Sequence, residues 1–115
     1  MRLSVVGSRT FNNYQLLKTK LDEIHQETPI TLVVSGGAKG ADFFAERWAR
    51  ENNIETKIYY PDWKLYGKKA GFVRNRDIVT NSDKMIAFWD NISKGTLHSI
   101  NIADYNQIPY MIVKF

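Results

Sequence analysis

Short apolar runs and helical patterns take turns along the whole 115 residues, and no β-hairpin signal joins any two of the runs. Apolar, strand-like stretches cover residues 3–6, 31–35, 54–60, 84–89 and 109–113. Between them lie helical patterns over 14–26, 41–52, 70–80 and 96–105. The second is the clearest, because Ala41, Phe44, Ala45, Trp48 and Ala49 recur at helical spacing and form one face. Strands joined by helices rather than by tight turns run parallel, with helices covering both faces of the sheet. Right-handed crossovers restrict the topology further. The chain is therefore predicted to be a single α/β, Rossmann-like three-layer domain over residues 1–115. Its five-stranded parallel sheet has the expected order 3-2-1-4-5.

Composition removes several function classes. There is no cysteine, which excludes disulfides, thiolate metal sites and cysteine nucleophiles. The two histidines, His25 and His98, lie 73 positions apart, so no metal centre and no cofactor is expected. No apolar run approaches the ~18 residues that span a bilayer, and the chain enters a strand at once. A cytoplasmic protein without membrane partners is expected. Sixteen Lys and Arg against twelve Asp and Glu give a net charge of +4, which favours anionic partners. Five of the cations, Lys64, Lys68, Lys69, Arg74 and Arg76, fall within residues 62–76 against one acid.

In an open sheet of this order, ligands bind beyond the carboxyl ends of the strands, where strand order reverses. The loops after strands one, two and four are then the informative ones. The second, SGGAKGAD, follows a buried strand and opens the best helix. Gly36, Gly37 and Gly40 permit tight turns and bring main-chain N–H groups close to a ligand. The helix start adds partial positive charge, making an anion cradle out of Ser35, Lys39, Ala41 and Asp42 with the glycines. The spacing fits neither a Walker A loop nor G-x-G-x-x-G, which disfavours a nucleoside-triphosphate hydrolase. A tight strand-to-helix turn is the competing reading.

The first loop holds Gly7, Ser8 and Arg9, the arginine being a planar fork for anions. The third holds Lys94, Gly95 and Thr96 at a helix start, where Thr96 is placed to act as N-cap. The basic connecting segment adds Trp63, Tyr66 and Phe72, suited to stacking a purine above a phosphate. The alternative is a lid that packs its rings inward and leaves its charges in water. Arg74 and Arg76 stand two residues apart, about 200° around a helix, so one phosphate cannot take both. Asn75 between them is placed to read a base or ribose. Asp42 and His98 are the side chains available for acid–base help, and no paired carboxylates present themselves.

The motifs VVGSR, VVSGGAKGAD, PDWKLYGKKAGFVRNRD and SKGT resemble, in the same order, the YspA/YpsA-like branch of the SLOG superfamily. The superfamily also includes the Smf/DprA DNA-processing proteins and the LOG phosphoribohydrolases. The resemblance implies a Rossmann-like domain that binds nucleotides or nucleotide-derived ligands, with related domains sensing nucleotide signals in bacterial and phage conflict. Carried over residue by residue, it implicates Gly7, Ser8 and Arg9; Ser35, Gly36, Gly37, Gly40, Ala41 and Asp42; Arg74, Asn75 and Arg76; and Ser93, Lys94, Gly95 and Thr96. The LOG loop PGG-x-GT-x-x-E agrees at Gly95 and Thr96, but Ser99 stands in place of its catalytic glutamate. A sensor or sequestering protein for a nucleotide-derived ligand, such as an ADP-ribose derivative, is thus expected ahead of a nucleoside-monophosphate N-glycosidic hydrolase. DNA binding ranks third, since a +4 domain without a basic tail is a poor fit to nucleic acid. A homo-oligomer is expected from the aromatic content.

Overall fold

The centre of the sheet is built from the two most apolar runs. β1 (Arg2–Gly7) and β4 (Lys84–Trp89) lie side by side and parallel, with Leu3 paired to Lys84 and Gly7 to Phe88. The computed structural model describes residues 1–115. β2 (Leu32–Ser35) pairs with β1, β3 (Glu55–Ile58) with β2, and β5 (Tyr110–Lys114) with β4, all parallel. The order is β3-β2-β1-β4-β5. This is the topology the alternation predicts.

Successive strand residues feed opposite cores, as the pleat requires. Leu3, Val5, Ile86 and Phe88 pack against Leu17 and Leu21 of α1 (Tyr14–Glu27) and Trp48 of α2 (Ala41–Glu51). Val6, Met85 and Ala87 pack on the other face against Ile78 and Val79 of α4 (Ala70–Thr80) and Ile100 of α5 (Lys94–Tyr105). Trp48 is wholly buried, and its indole Nε1–H donates to Asp22 at 2.9 Å. His25 stitches the same corner. Its Nδ1 accepts from the Ile30 backbone at 2.9 Å while its ring meets Trp48 edge-on. No helix is long and apolar enough to cross a membrane.

Most boundaries fall within a residue of the sequence reading, and three differences go further. β3 stops at Ile58 rather than residue 60, and Tyr59 and Tyr60 lead away from the sheet toward Pro61. The basic segment is not an open connection. It forms α3 (Trp63–Tyr66) and a 3-10 turn (Gly67–Lys69) that runs into α4. Asp62 caps α3 by accepting from the Leu65 N–H at 3.0 Å, and none of its four residues is buried. A helix with no core-facing stripe leaves no periodicity to read. Finally, α5 begins two residues before the predicted residue 96. Ser93 is its N-cap, not Thr96, and Ser93 Oγ accepts from the Thr96 N–H at 3.3 Å.

Candidate ligand-binding site

The chain leaves β1 toward one face of the sheet and β4 toward the other, which opens a crevice above their carboxyl ends. Close backbone packing draws the loops together there. A Cβ on Gly7 would lie 2.5 Å from the Ala41 Cβ and 2.7 Å from the Phe88 carbonyl. Ser8 donates its N–H to that carbonyl at 2.9 Å, and its Oγ accepts from the Asp90 N–H at 3.3 Å. Gly40, with φ at +76°, sits against the Ser8 carbonyl and the Arg9 backbone, where a side chain has no room. Two of these glycines thus serve the packing of one loop on another.

The second loop does not present all its amides to a ligand, contrary to the sequence expectation. Asp42 turns back from the first turn of α2, and its Oδ2 accepts from both Gly36 N–H and Ala38 N–H at 3.2 Å. Those donors are already used. Burial pushes the Asp42 carboxyl above its ordinary range, opposed by the two N–H bonds and the charges of Arg74 and Arg9. Arg74 reaches over from α4 and donates Nη1–H to the Gly36 carbonyl at 2.8 Å. Burial lowers its guanidinium, and Asp42 opposes that shift. Asn75 Oδ1 accepts from Arg74 Nε–H at 3.1 Å, which fixes the plane of the guanidinium.

The third loop ends in an open helix N-terminus. Asp90 Oδ1 accepts from the backbones of Ser93 at 2.8 Å and Ile92 at 2.9 Å, and these bonds hold its carboxyl below the usual range. Nothing lies within 4 Å of a Cβ placed on Gly95, so α5 is open at that residue, while the Thr96 N–H is taken by Ser93 Oγ.

Two adjoining clefts result. An inner one of about 410 Å³ is rimmed with hydroxyls and carboxylates, among them Ser8, Thr10, Asp90, Thr96 and Ser99. An outer one of about 480 Å³ runs between Gly36–Gly37 and the rings of Tyr60, Trp63 and Phe72, with Lys68 and Lys94 beside them. Both are of ligand size. Arg9, Ala38, Arg74, Asn75 and Gly95 border both clefts and form the neck between them. Arg9, Arg74, Lys68 and Lys94 stand against Asp42 and Asp90 around the pair, so cationic charge prevails.

The structure gathers Gly7, Ser8, Arg9, Gly36, Gly37, Asp42, Trp63, Arg74, Asn75, Lys94, Gly95 and Thr96 around the clefts. It places the remaining candidates elsewhere. Ser35 is buried and directs its Oγ to Glu46 at 3.5 Å. Gly40 and Ala41 support the loops from below, while Lys39 and Tyr66 are exposed and border neither cleft. Arg76 points to a separate groove between α4 and α5, as does His98. The His98 ring meets Phe72 edge-on at 4.6 Å, its Nδ1 lies 3.3 Å from Asn75 Nδ2, and burial lowers its pKa. Asp42 and His98 therefore share no cavity. Thr10, Asp90 and Tyr60 escaped the sequence reading, and Lys68 and Ser99, both named there, were not counted among the ligand residues. Only Asp90 carried a signal, an acid three residues before the Ser93 cap.

The family model described as "YAcAr: YspA, cpYpsA-related SLOG family" matches residues 1–66. Gene 61 protein of Mycobacterium phage D29 is 36% identical over 94% of this chain and 92% of its own. The chain belongs to this SLOG family. The matched span holds the first two loops and Trp63, while Arg74, Asn75 and the α5 N-terminus lie beyond it. Solved structures of DNA processing protein A share the SLOG chain's fold. The Helicobacter pylori protein, described by its single-stranded DNA binding mode, has a TM-score of 0.76 at 21% identity over 97% of this chain. The Streptococcus pneumoniae protein has a TM-score of 0.76 at 20% identity over 96% of it. The SLOG chain spans 64% and 49% of these two proteins.

Proposed function

We propose that this SLOG protein binds a nucleotide-derived ligand and senses or sequesters it. The observation that carries the reading is the cationic neck between an aromatic cleft and a hydroxyl-lined one. Phosphates at the neck meet the Arg9 and Arg74 guanidiniums and the open N-terminus of α5, three features that each favour anions. A base in the outer cleft stacks on Trp63, Tyr60 or Phe72. A sugar in the inner cleft finds the Ser8, Thr10 and Asp90 oxygens. A ligand with a base, a diphosphate and a second ribose, such as an ADP-ribose derivative, suits all three parts. Binding is favoured over N-glycosidic hydrolysis because Asp42 is engaged in holding its loop and His98 lies in another groove.

Thermal shift and calorimetry with ADP-ribose, ADP, ribose 5-phosphate and pyrophosphate test the reading. Stabilisation that grows with ligand concentration, greatest for ADP-ribose, is expected. No shift with any of the four refutes it, and free base released from a nucleoside monophosphate shifts the reading to the hydrolase. Mass spectrometry of co-purifying small molecules identifies the natural ligand.

A second reading, DNA binding, gains from one surface. Trp63, Tyr66 and Phe72 are exposed on the same segment as Lys64, Lys68 and Lys69, the pairing of rings and cations that grips single strands. The fold shared with the Helicobacter pylori protein adds to it and weighs against setting nucleic acid aside from net charge alone. Single-stranded DNA affinity that falls steeply with salt and is lost in Trp63→Ala supports this reading.

A further inference from the structure

Each outer strand of the sheet has one side without a strand partner, and the two sides differ in kind. β3 is four residues long and carries Glu55 and Lys57, the short and charged edge that discourages pairing. β5 reads YMIVK and is followed by Phe115. Tyr110, Met111, Ile112 and Phe115 are all exposed, at 38%, 38%, 37% and 47%. The Met85 N–H donates to the Pro109 carbonyl at 2.9 Å. Alternation along the ladder then turns the polar backbone groups of Met111 and Val113 toward β4. Those of Tyr110, Ile112 and Lys114 point outward, unpaired by any strand.

We propose that this edge pairs with β5 of a second copy of the chain, antiparallel about a two-fold axis at Ile112, so that the two sheets become one. In that register Ile112 faces its own equivalent, and Tyr110 faces Lys114 of the second copy. Every outward backbone group then meets another outward group, in about six hydrogen bonds. Charge selects the occupant. The Tyr110 hydroxyl donates to Asp104 Oδ1 at 3.3 Å, so a lysine opposite Tyr110 ends beside that carboxylate. The symmetry makes two such Lys114–Asp104 pairs and sets no like charges opposite one another. Within one chain neither residue has a salt-bridge partner. No residue of β5 borders either cleft, so the pairing leaves both open and does not depend on what they bind.

Sedimentation velocity on the whole chain tests the pairing, with circular dichroism checking the fold of each variant. The unaltered protein is expected to sediment as two chains at high micromolar concentration. Lys114→Glu and Asp104→Lys, made singly, each place like charges opposite and should weaken association at least tenfold. The double variant restores opposite charges and should recover it. A single-chain mass at every concentration overturns the proposal. So does association that ignores both single reversals, or that fails to return in the double variant.

Discussion

Replacing Asp42 separates two roles of one buried carboxylate. Its Oδ2 holds the Gly36 and Ala38 N–H groups at 3.2 Å. Asp42→Ala leaves two donors without a partner, each costing about 1–3 kcal/mol when buried. Asp42 borders the inner cleft, so water reaches part of the vacated space and the lower half of the range applies. The expected loss is about 2–4 kcal/mol by the same per-donor cost. With an unfolding entropy of about 2.1 cal/mol/K per residue, each kcal/mol lowers Tm by about 4 °C here, giving a fall of roughly 8–16 °C. Asp42→Asn behaves differently, because its amide oxygen can accept both N–H groups. It should cost less than about 1 kcal/mol at neutral pH, the worth of a hydrogen bond that is kept. Burial raises the Asp42 pKa above that of an ordinary aspartate. Between the unfolded and the raised folded value the folded state binds more protons than the unfolded one, so stability falls as pH rises through the window. The asparagine variant has no such fall and should gain on the natural protein from acid to neutral pH. Urea unfolding followed by circular dichroism on both sides of the window measures all three proteins. An alanine cost below about 0.5 kcal/mol, the range of an ordinary surface change, refutes the reasoning. So does an asparagine as damaging as alanine.

Other outcomes follow from the same geometry. Gly40→Ala drives a methyl group into the Ser8 carbonyl at positive φ, and should cost more than about 2 kcal/mol in urea unfolding. Arg74→Ala should weaken ADP-ribose binding at least tenfold by calorimetry, at about 1.5–3 kcal/mol for a charged hydrogen bond. Arg76→Ala, in the other groove, should stay within about twofold, as expected of a charge outside the site. Trp63→Ala should lower ADP-ribose affinity by the ~1–3 kcal/mol of a stacked base and leave pyrophosphate binding unchanged. Pyrophosphate affinity should rise as pH falls through the raised Asp42 titration, because a carboxylate beside the neck is neutralised, and Asp42→Asn should flatten that profile.

The strands at the centre of the sheet were legible because both their faces are buried, which makes Val5, Val6, Ile86 and Ala87 parts of continuous apolar runs. β3 was read too long because tyrosines favour strands, whereas Tyr59 and Tyr60 lie past the last register pair. The glycine loop was legible as a tight turn from β2 into α2 but not in its workings. Spacing showed where the backbone turns, and could not show that Asp42 consumes two of its amides. The split between Arg74 and Arg76 was readable from helical phase alone. The same phase explains His98. Thr96 and Ser99, three apart, face the inner cleft, while a residue two beyond Thr96 points to the far side of α5. Tyr60 lies just past β3 and Lys68 in the 3-10 turn before α4, and no local pattern announces that both border the outer cleft.

The self-capped α3 has a consequence for how a protein of this design diversifies. Its four residues contribute nothing to either core, yet Trp63 forms one wall of the outer cleft. Exchanges there fall among surface changes, generally within about ±0.5 kcal/mol. The Gly7 and Gly40 contacts, by contrast, leave no room for a side chain. Lineages sharing this scaffold are free to reshape that wall by rewriting residue 63, with folding left nearly untouched.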